Sequence, residues 1–299
     1  MSETPPTYQE LVSALAESKP RVARALRVAD TRRSERLAGY LDGMRLRGLE
    51  QLHTYLDAAA ESYASIPAIA DLTFLVERVR ADFETALEAT LSGYQGVASD
   101  AMRDVMEIEG LLLDFGANRG NAEEWLRSDH RLRMRKYAPP KVRERLMASG
   151  VPPYSNEGFE PVDYAAHSES LHVNPASWRP PGPEPADEPV PFYADFGFME
   201  MFEHGNRVWR AIELLRVVAL GTLGEDEWTP PPGDYQPLTP RDDFDDAYAH
   251  TSQMQVISLA LFEGPAILHD RLGREPKTSE VLGYVADELK LKRPRANQD

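Results

Sequence analysis

The chain of 299 residues contains no cysteine. Without thiols there is no disulfide framework, no thiolate metal site and no cysteine nucleophile, and their absence fits a reducing compartment. Long apolar runs are missing as well, since no stretch approaches the roughly 20 residues that a membrane-spanning helix needs. The opening residues, Met1-Ser-Glu-Thr-Pro-Pro, lack a basic segment followed by an apolar one, so no leader is expected. Together these absences predict a cytoplasmic protein that engages no membrane. Positive charge is scarce: 33 Lys and Arg stand against 49 Asp and Glu, a net charge of −16. Long-range repulsion therefore disfavours coating of nucleic acid or adsorption to anionic membranes, although local basic patches survive that argument. Gly-rich phosphate loops, Gly-x-Ser-x-Gly elbows and dinucleotide fingerprints are absent, which disfavours conventional nucleotide enzymes and serine hydrolases.

Alternating β-branched runs are nearly absent too, and apolar residues recur instead at three- and four-residue spacing, which predicts an all-α fold. Helices are expected over about 7–28 with a break near Pro20, then 33–63, 68–91, 95–116, 121–128, 139–148, 160–172, 194–221, 243–272 and 278–290. In the helix from 194, Phe198, Met201, Phe202, Val208, Trp209 and Ile212 form one broad stripe, with Arg207 and Arg216 mostly off it. Residues 175–191 hold seven prolines and residues 230–240 hold five, so both are expected to be extended connections. The late helices are too apolar to stand as a pair and are expected to pack on the helices between 68 and 116. The predicted architecture is a single multi-helix bundle over 1–299 with two proline-rich crossover segments. Within it lie N-terminal helices over 1–63, a middle group over 64–174, core helices over 192–290 and a tail over 291–299.

Tyr164, Ser168 and His172 recur at four-residue spacing, which stacks them in one stripe if the segment is helical. Arg103 and Glu107 show the same spacing on a helix that is apolar over much of its circumference, so they are expected to face other protein. A histidine near a buried carboxylate can bind an anion or move a proton, whereas a satisfied polar network fixes helix register; both readings stand. The order Arg103-x-x-x-Glu107, then Trp125 in a short helix, then Tyr164-x-x-x-Ser168-x-x-x-His172 resembles a family of uncharacterised all-helical bacterial proteins. Members of that family have been compared with helical bundles of toxin and defence systems. The resemblance covers roughly residues 70–222 and departs from the usual pattern at His167. It implies that Arg103, Glu107, Tyr164, Ser168 and His172 meet in one polar cluster, and it implies no established activity.

Asp163/His167, Glu200/His204 and Asp246/His250 are acid/histidine pairs at four-residue spacing, but neither Glu-x-x-His nor His-Glu-x-x-His occurs. No metal and no cofactor are expected. Arg47 and His53 match the spacing of a helical ribonuclease motif, a coincidence at the level chance provides. Residues 127–145 carry eight Lys or Arg against two acids, with Arg131, Arg133, Arg135 and Lys136 at the centre. Such a patch could face a protein partner or a phosphate-bearing ligand such as RNA, and Trp125 and Tyr137 beside it would either stack on a base or anchor the segment. Two functional readings follow. The first is a cytoplasmic interaction or regulatory protein with a structural polar cluster and a partner-facing basic patch. The second is a phosphate-ester or RNA-acting effector of a toxin or defence system, with His172 as acid/base and Arg103 binding the anion.

Overall fold

The computed structural model describes residues 5–41, 43–150, 191–221, 237–277, 280, 281, 283 and 284. No strand occurs among the described residues, and the fold is all-α. In chain order the helices are α1 (Tyr8–Ser18), α2 (Pro20–Tyr40), α3 (Met44–Ser65), α4 (Thr73–Ser92) and α5 (Gln95–Ala117). They continue with α6 (Arg119–Arg127), α7 (His130–Lys136), α8 (Pro139–Ala148), α9 (Pro191–Ala219) and α10 (Asp242–Leu272). The helix expected over 160–172, the proline-rich stretches 175–190 and 230–236, most of the helix expected over 278–290, and the tail lie outside the described residues.

Local chemistry sets the helix ends. Thr7 opens α1 with a reciprocal box: its hydroxyl accepts from the Glu10 amide, and the Glu10 carboxylate accepts from the Thr7 amide at 2.7 Å. Pro20 begins α2, where its fixed φ suits the first turn and its ring keeps the preceding residue out of the helical region. The interruption expected between residues 28 and 33 does not occur. Arg33 reaches back to Asp30 at 2.8 Å and the Ser34 hydroxyl donates to the Asp30 carbonyl at 2.9 Å, so side chains that usually favour a turn are satisfied inside the helix. The chain breaks instead at Gly43, which is extended and separates α2 from α3. Helix α7, where no helix was expected, is capped by Asp129, whose carboxylate accepts from the Leu132 amide at 2.7 Å.

Helix α9 lies at the centre of the bundle, packed against α5, α4, α3 and α10. Its predicted stripe is the core: Phe198, Met201, Phe202, Val208 and Ile212 are 0% exposed and Trp209 is 3% exposed. Two tyrosines of α3 tie that helix to α9. Tyr55 stacks on Trp209 with ring centroids 3.8 Å apart and donates to the Trp209 carbonyl, while Tyr63 donates to the Ile212 carbonyl at 2.9 Å. The start of α10 docks beside them, where Gln51 accepts from the Phe244 amide at 2.7 Å and the Arg241 guanidinium covers the Trp209 ring at 5.0 Å. Helix α9 packs on α4 and α5, as expected, whereas α10 packs mainly on α3 and α9. One buried cluster runs from Leu49 in α3 to Ala247 in α10 and takes in Val142 and Leu146 of α8.

Helix α9 comes very close to α4 at Gly197. A Cβ placed there would stand 2.3 Å from the Thr90 Oγ1 and 2.6 Å from its Cγ2, so only glycine admits this spacing. Thr90 is fully buried and its hydroxyl oxygen has no hydrogen-bond partner, so shortening it breaks no bond. Gly197→Ala is expected to lower the unfolding free energy by about 1–3 kcal/mol in urea titrations, and adding Thr90→Ala to recover most of that loss. A neutral Gly197→Ala would mean that the two helices do not meet at this distance.

Candidate partner-binding surface

Helix α5 is buried on most of its circumference, including Met102, Val105, Ile108 and Leu112, yet it carries charged residues throughout. Each of those named here is met by a guanidinium or a carboxylate. Arg103 and Glu107 form the expected ion pair, at 3.1 Å, with side chains 20% and 32% exposed. Asp104 takes both arms of Arg78 from α4, one bond measuring 2.9 Å. Glu109, 2% exposed, takes a grip from Arg207 of α9, whose Nε donates at 3.2 Å and whose Nη2 makes an ion-pair contact at 2.9 Å. Asp114, 3% exposed, takes another from Arg145 of α8 at 2.8 and 2.9 Å. Two of the three arginines of α9 placed off its apolar stripe are thus not solvated: Arg207 is 9% exposed, and Arg216, at 8%, pairs with Glu213 at 3.0 Å, whereas Arg210 is exposed.

Of the polar cluster expected from the sequence, Arg103 and Glu107 are brought together, while Tyr164, Ser168 and His172 lie outside the described residues. The groups around the pair are acidic. Asp82 on α4 lies within hydrogen-bonding reach of Asp104, and the two carboxyls share a half-buried site. Burial, and then the neighbouring Asp104, push the Asp82 carboxyl up to about 7. Burial also raises Glu107, and Arg103 draws it part of the way back. Among the acid/histidine pairs, His204 is 1% exposed and its Nε2 sits 3.4 Å from Glu200, Asp246 and His250 are exposed, and Asp163 and His167 lie outside the described residues. No group of three or more candidate metal ligands occurs among the described residues.

The basic segment forms an elbow of α6, α7 and α8. Its hinge is tied firmly. Tyr137, 5% exposed, donates to Glu124 at 2.8 Å and to the Asn121 carbonyl, Lys136 pairs with the same Glu124, and Arg145 donates to the Lys136 carbonyl at 2.6 Å. Lys136 and then Tyr137 hold the Glu124 carboxyl below its ordinary range. Trp125 stacks on Phe74 at 6.0 Å and meets Phe115 at 5.6 Å, so both aromatics of the segment anchor it to the bundle. Lys136, expected in the patch, is therefore spent on the hinge. Arg131, Arg133 and Arg135 are exposed, and none makes an ion pair or hydrogen bond with the described residues. Met134 beside them is 59% exposed.

A second basic strip escaped the sequence reading, although its signal was there. Residues 19–36 carry seven Lys or Arg against Asp30 and Glu35. Inward-facing Arg32, Arg33 and Arg36 serve the fold: Arg36 donates to the Thr90 carbonyl at 2.5 Å, capping the end of α4 where Gly93 turns with φ +86°. On the outer face Arg21, Arg24 and Arg27 are exposed beside Val22, with no ion pair to the described residues. The contacts of Arg33 with Glu88 and Arg36 with Thr90 set α2 parallel to α4, so Arg21 is level with the start of α4. Phe74, which Trp125 covers, lies at that same end. No described helix is long and apolar enough to cross a membrane. Compared with protein-family models, curated proteins and solved structures, the chain matches none.

The Asp82–Asp104 pair generates a pH prediction. Because Asp82 titrates near 7 when folded and near 3.8 when unfolded, its stabilising contribution is complete below about 4 and is lost as the pH rises through 7. Asp82→Asn keeps a donor toward Asp104 without the charge. It should therefore match the parent near pH 4 and exceed it by about 1–2 kcal/mol at pH 8, a value reduced from full linkage because the site is half open. Urea titrations at both pH values check this, and a variant less stable than the parent at pH 8 would contradict it.

Proposed function

We propose that the protein is a non-enzymatic cytoplasmic interaction protein that docks an acidic protein partner on α7. The observation that carries this reading is the set of three exposed arginines, Arg131, Arg133 and Arg135, left without a carboxylate by the described residues of a chain with 49 acids. Their placement does little for the fold. Arg131 and Arg135 are like charges four residues apart, a spacing that costs a helix a few tenths of a kcal/mol, while the dipole of so short a helix returns about the same for the two in its last turn. Exposed Met134 adds an adaptable apolar contact of the kind that protein interfaces use. A single-stranded nucleic acid would instead want open aromatic faces, and Trp125 and Tyr137 are spent on anchoring the elbow.

Titration of the full chain with a short Glu/Asp-rich peptide and with single-stranded RNA of equal charge tests the reading. The peptide should bind with an affinity that falls as salt rises, and replacing Arg131, Arg133 and Arg135 together by Gln should weaken it about tenfold or more. A triple variant that binds the peptide as well as the parent, or a parent that takes RNA and refuses the peptide, would overturn it.

A further inference from the structure

Helices α2 and α4 pack on each other and are tied by Arg33 and Arg36 toward their C-terminal ends, and below those ties a groove opens beside their contact. Ala25 and Ala29 of α2 line a gap whose other side is Ala81 and Ala89 of α4, and the small side chains leave a cavity of about 700 Å3 that opens broadly to solvent, with Ala25, Ala81 and Glu84 exposed at its rim. Leu26 and Val97 extend its apolar wall, and Tyr8 of α1 and Tyr94 of the α4–α5 turn complete it. A volume of this size is in the range that accommodates a small organic molecule. The wall formed by α1 is only loosely seated: Val12 is buried, whereas Tyr8 and Leu11 remain 46% and 51% exposed.

The charged groups at the cavity are uneven in sign. Asp30, Glu84 and Glu88 stand against one guanidinium, that of Arg33. Arg33 is already bound to Asp30 at 2.8 Å and to Glu88, and the contact with Glu88 comes first among the causes that raise its pKa. Glu84 reaches Arg80 at 3.9 Å, and that guanidinium makes its shorter contact, 2.8 Å, with Asp57. The cavity is therefore apolar inside, acidic at its edge, and flanked by two tyrosine rings able to attract a cation. We propose that this cavity binds a small hydrophobic cation: an ammonium or quaternary ammonium group carried on an aromatic or branched alkyl body. The body fills the alanine-lined gap, and the cationic head takes Glu84 at the edge. Anions of the same shape meet three carboxylates against one lining guanidinium, and neutral molecules gain burial alone. This site is independent of α7 and of the partner proposed there.

Calorimetric titration of the full chain with phenylbutylammonium, phenylbutanol and phenylbutyrate separates head group from body. The ammonium should bind about fivefold more tightly than the alcohol, and the carboxylate most weakly. Glu84 is exposed, so Glu84→Gln folds as the parent does; it should remove most of the preference for the ammonium while leaving the alcohol's affinity unchanged. Ala29→Leu, or Ala25→Leu at a more open position of the same helix, should fill the gap and weaken all three ligands, with the unfolding midpoint confirming the fold. Equal affinities for the three head groups would overturn the proposal. So would ammonium binding that survives both alanine substitutions, or the absence of binding by any of the three.

Discussion

A charged helix in the interior sets the terms for the rest of this structure. Helix α5 is buried along most of its length, and a carboxylate held there without a partner costs several kcal/mol. The solution is to draw a guanidinium from a different neighbour for each of three acids, the deep Glu109 and Asp114 and the partly buried Asp104. Arg78 of α4 answers Asp104, Arg207 of α9 answers Glu109, and Arg145 of α8 answers Asp114. These pairs do not add much net stability over an apolar core, but removing one partner strands the other, and so they fix which helix lies where. Where a second acid crowds the same place, as Asp82 does beside Asp104, burial and the neighbouring carboxylate raise the carboxyl to about 7 instead, so that it keeps its proton well above the usual carboxylate range.

That inward pairing explains why the surface arginines stand out. The Asp114–Arg145 pair and the Tyr137–Glu124 bond brace the elbow, so α7 is carried on a stiff mount rather than a loose loop. On this mount the residues that brace are buried or paired, and the residues that point away are arginines with a methionine among them. A binding site built on rigid elements loses less entropy on association than one that must first be ordered. The outer arginines of α2 repeat the pattern toward the same end of the bundle, with Arg36 and Arg33 bracing on one face while Arg21, Arg24 and Arg27 stand open on the other.

Much of the fold was legible in the sequence because helices announce themselves by period. The stripe from Phe198 to Ile212 falls on one face at 3.6 residues per turn, and those residues are the core of α9. The Arg103–Glu107 pair was legible for the same reason, since both partners sit on one helix. The other ion pairs of α5 were not. Their partners lie 26, 31 and 98 residues away, and spacing within one helix says nothing about which face of another it will meet. The α2–α3 break was misplaced because Asp30 and Ser34, side chains that usually favour turns, are satisfied within the helix by Arg33 and the Asp30 carbonyl, which spacing alone does not reveal. Helix α7 was missed because it is short and polar, with the Asp129 cap as its one local signal. Of the residues singled out for chemistry, the arginines of 127–145 were identified by charge count alone, and only their burial separates those that brace from those that are open.

The central claim is that Arg131, Arg133 and Arg135 are held ready for a partner and contribute nothing the fold needs. Urea unfolding of the parent and of the variant with all three replaced by Gln tests it most directly, with no knowledge of the partner required. The account predicts unfolding free energies that agree to within about 0.5 kcal/mol, as for surface substitutions away from any structural contact. A loss of more than about 1–2 kcal/mol would show that the three arginines support this chain's own structure, and would contradict the account.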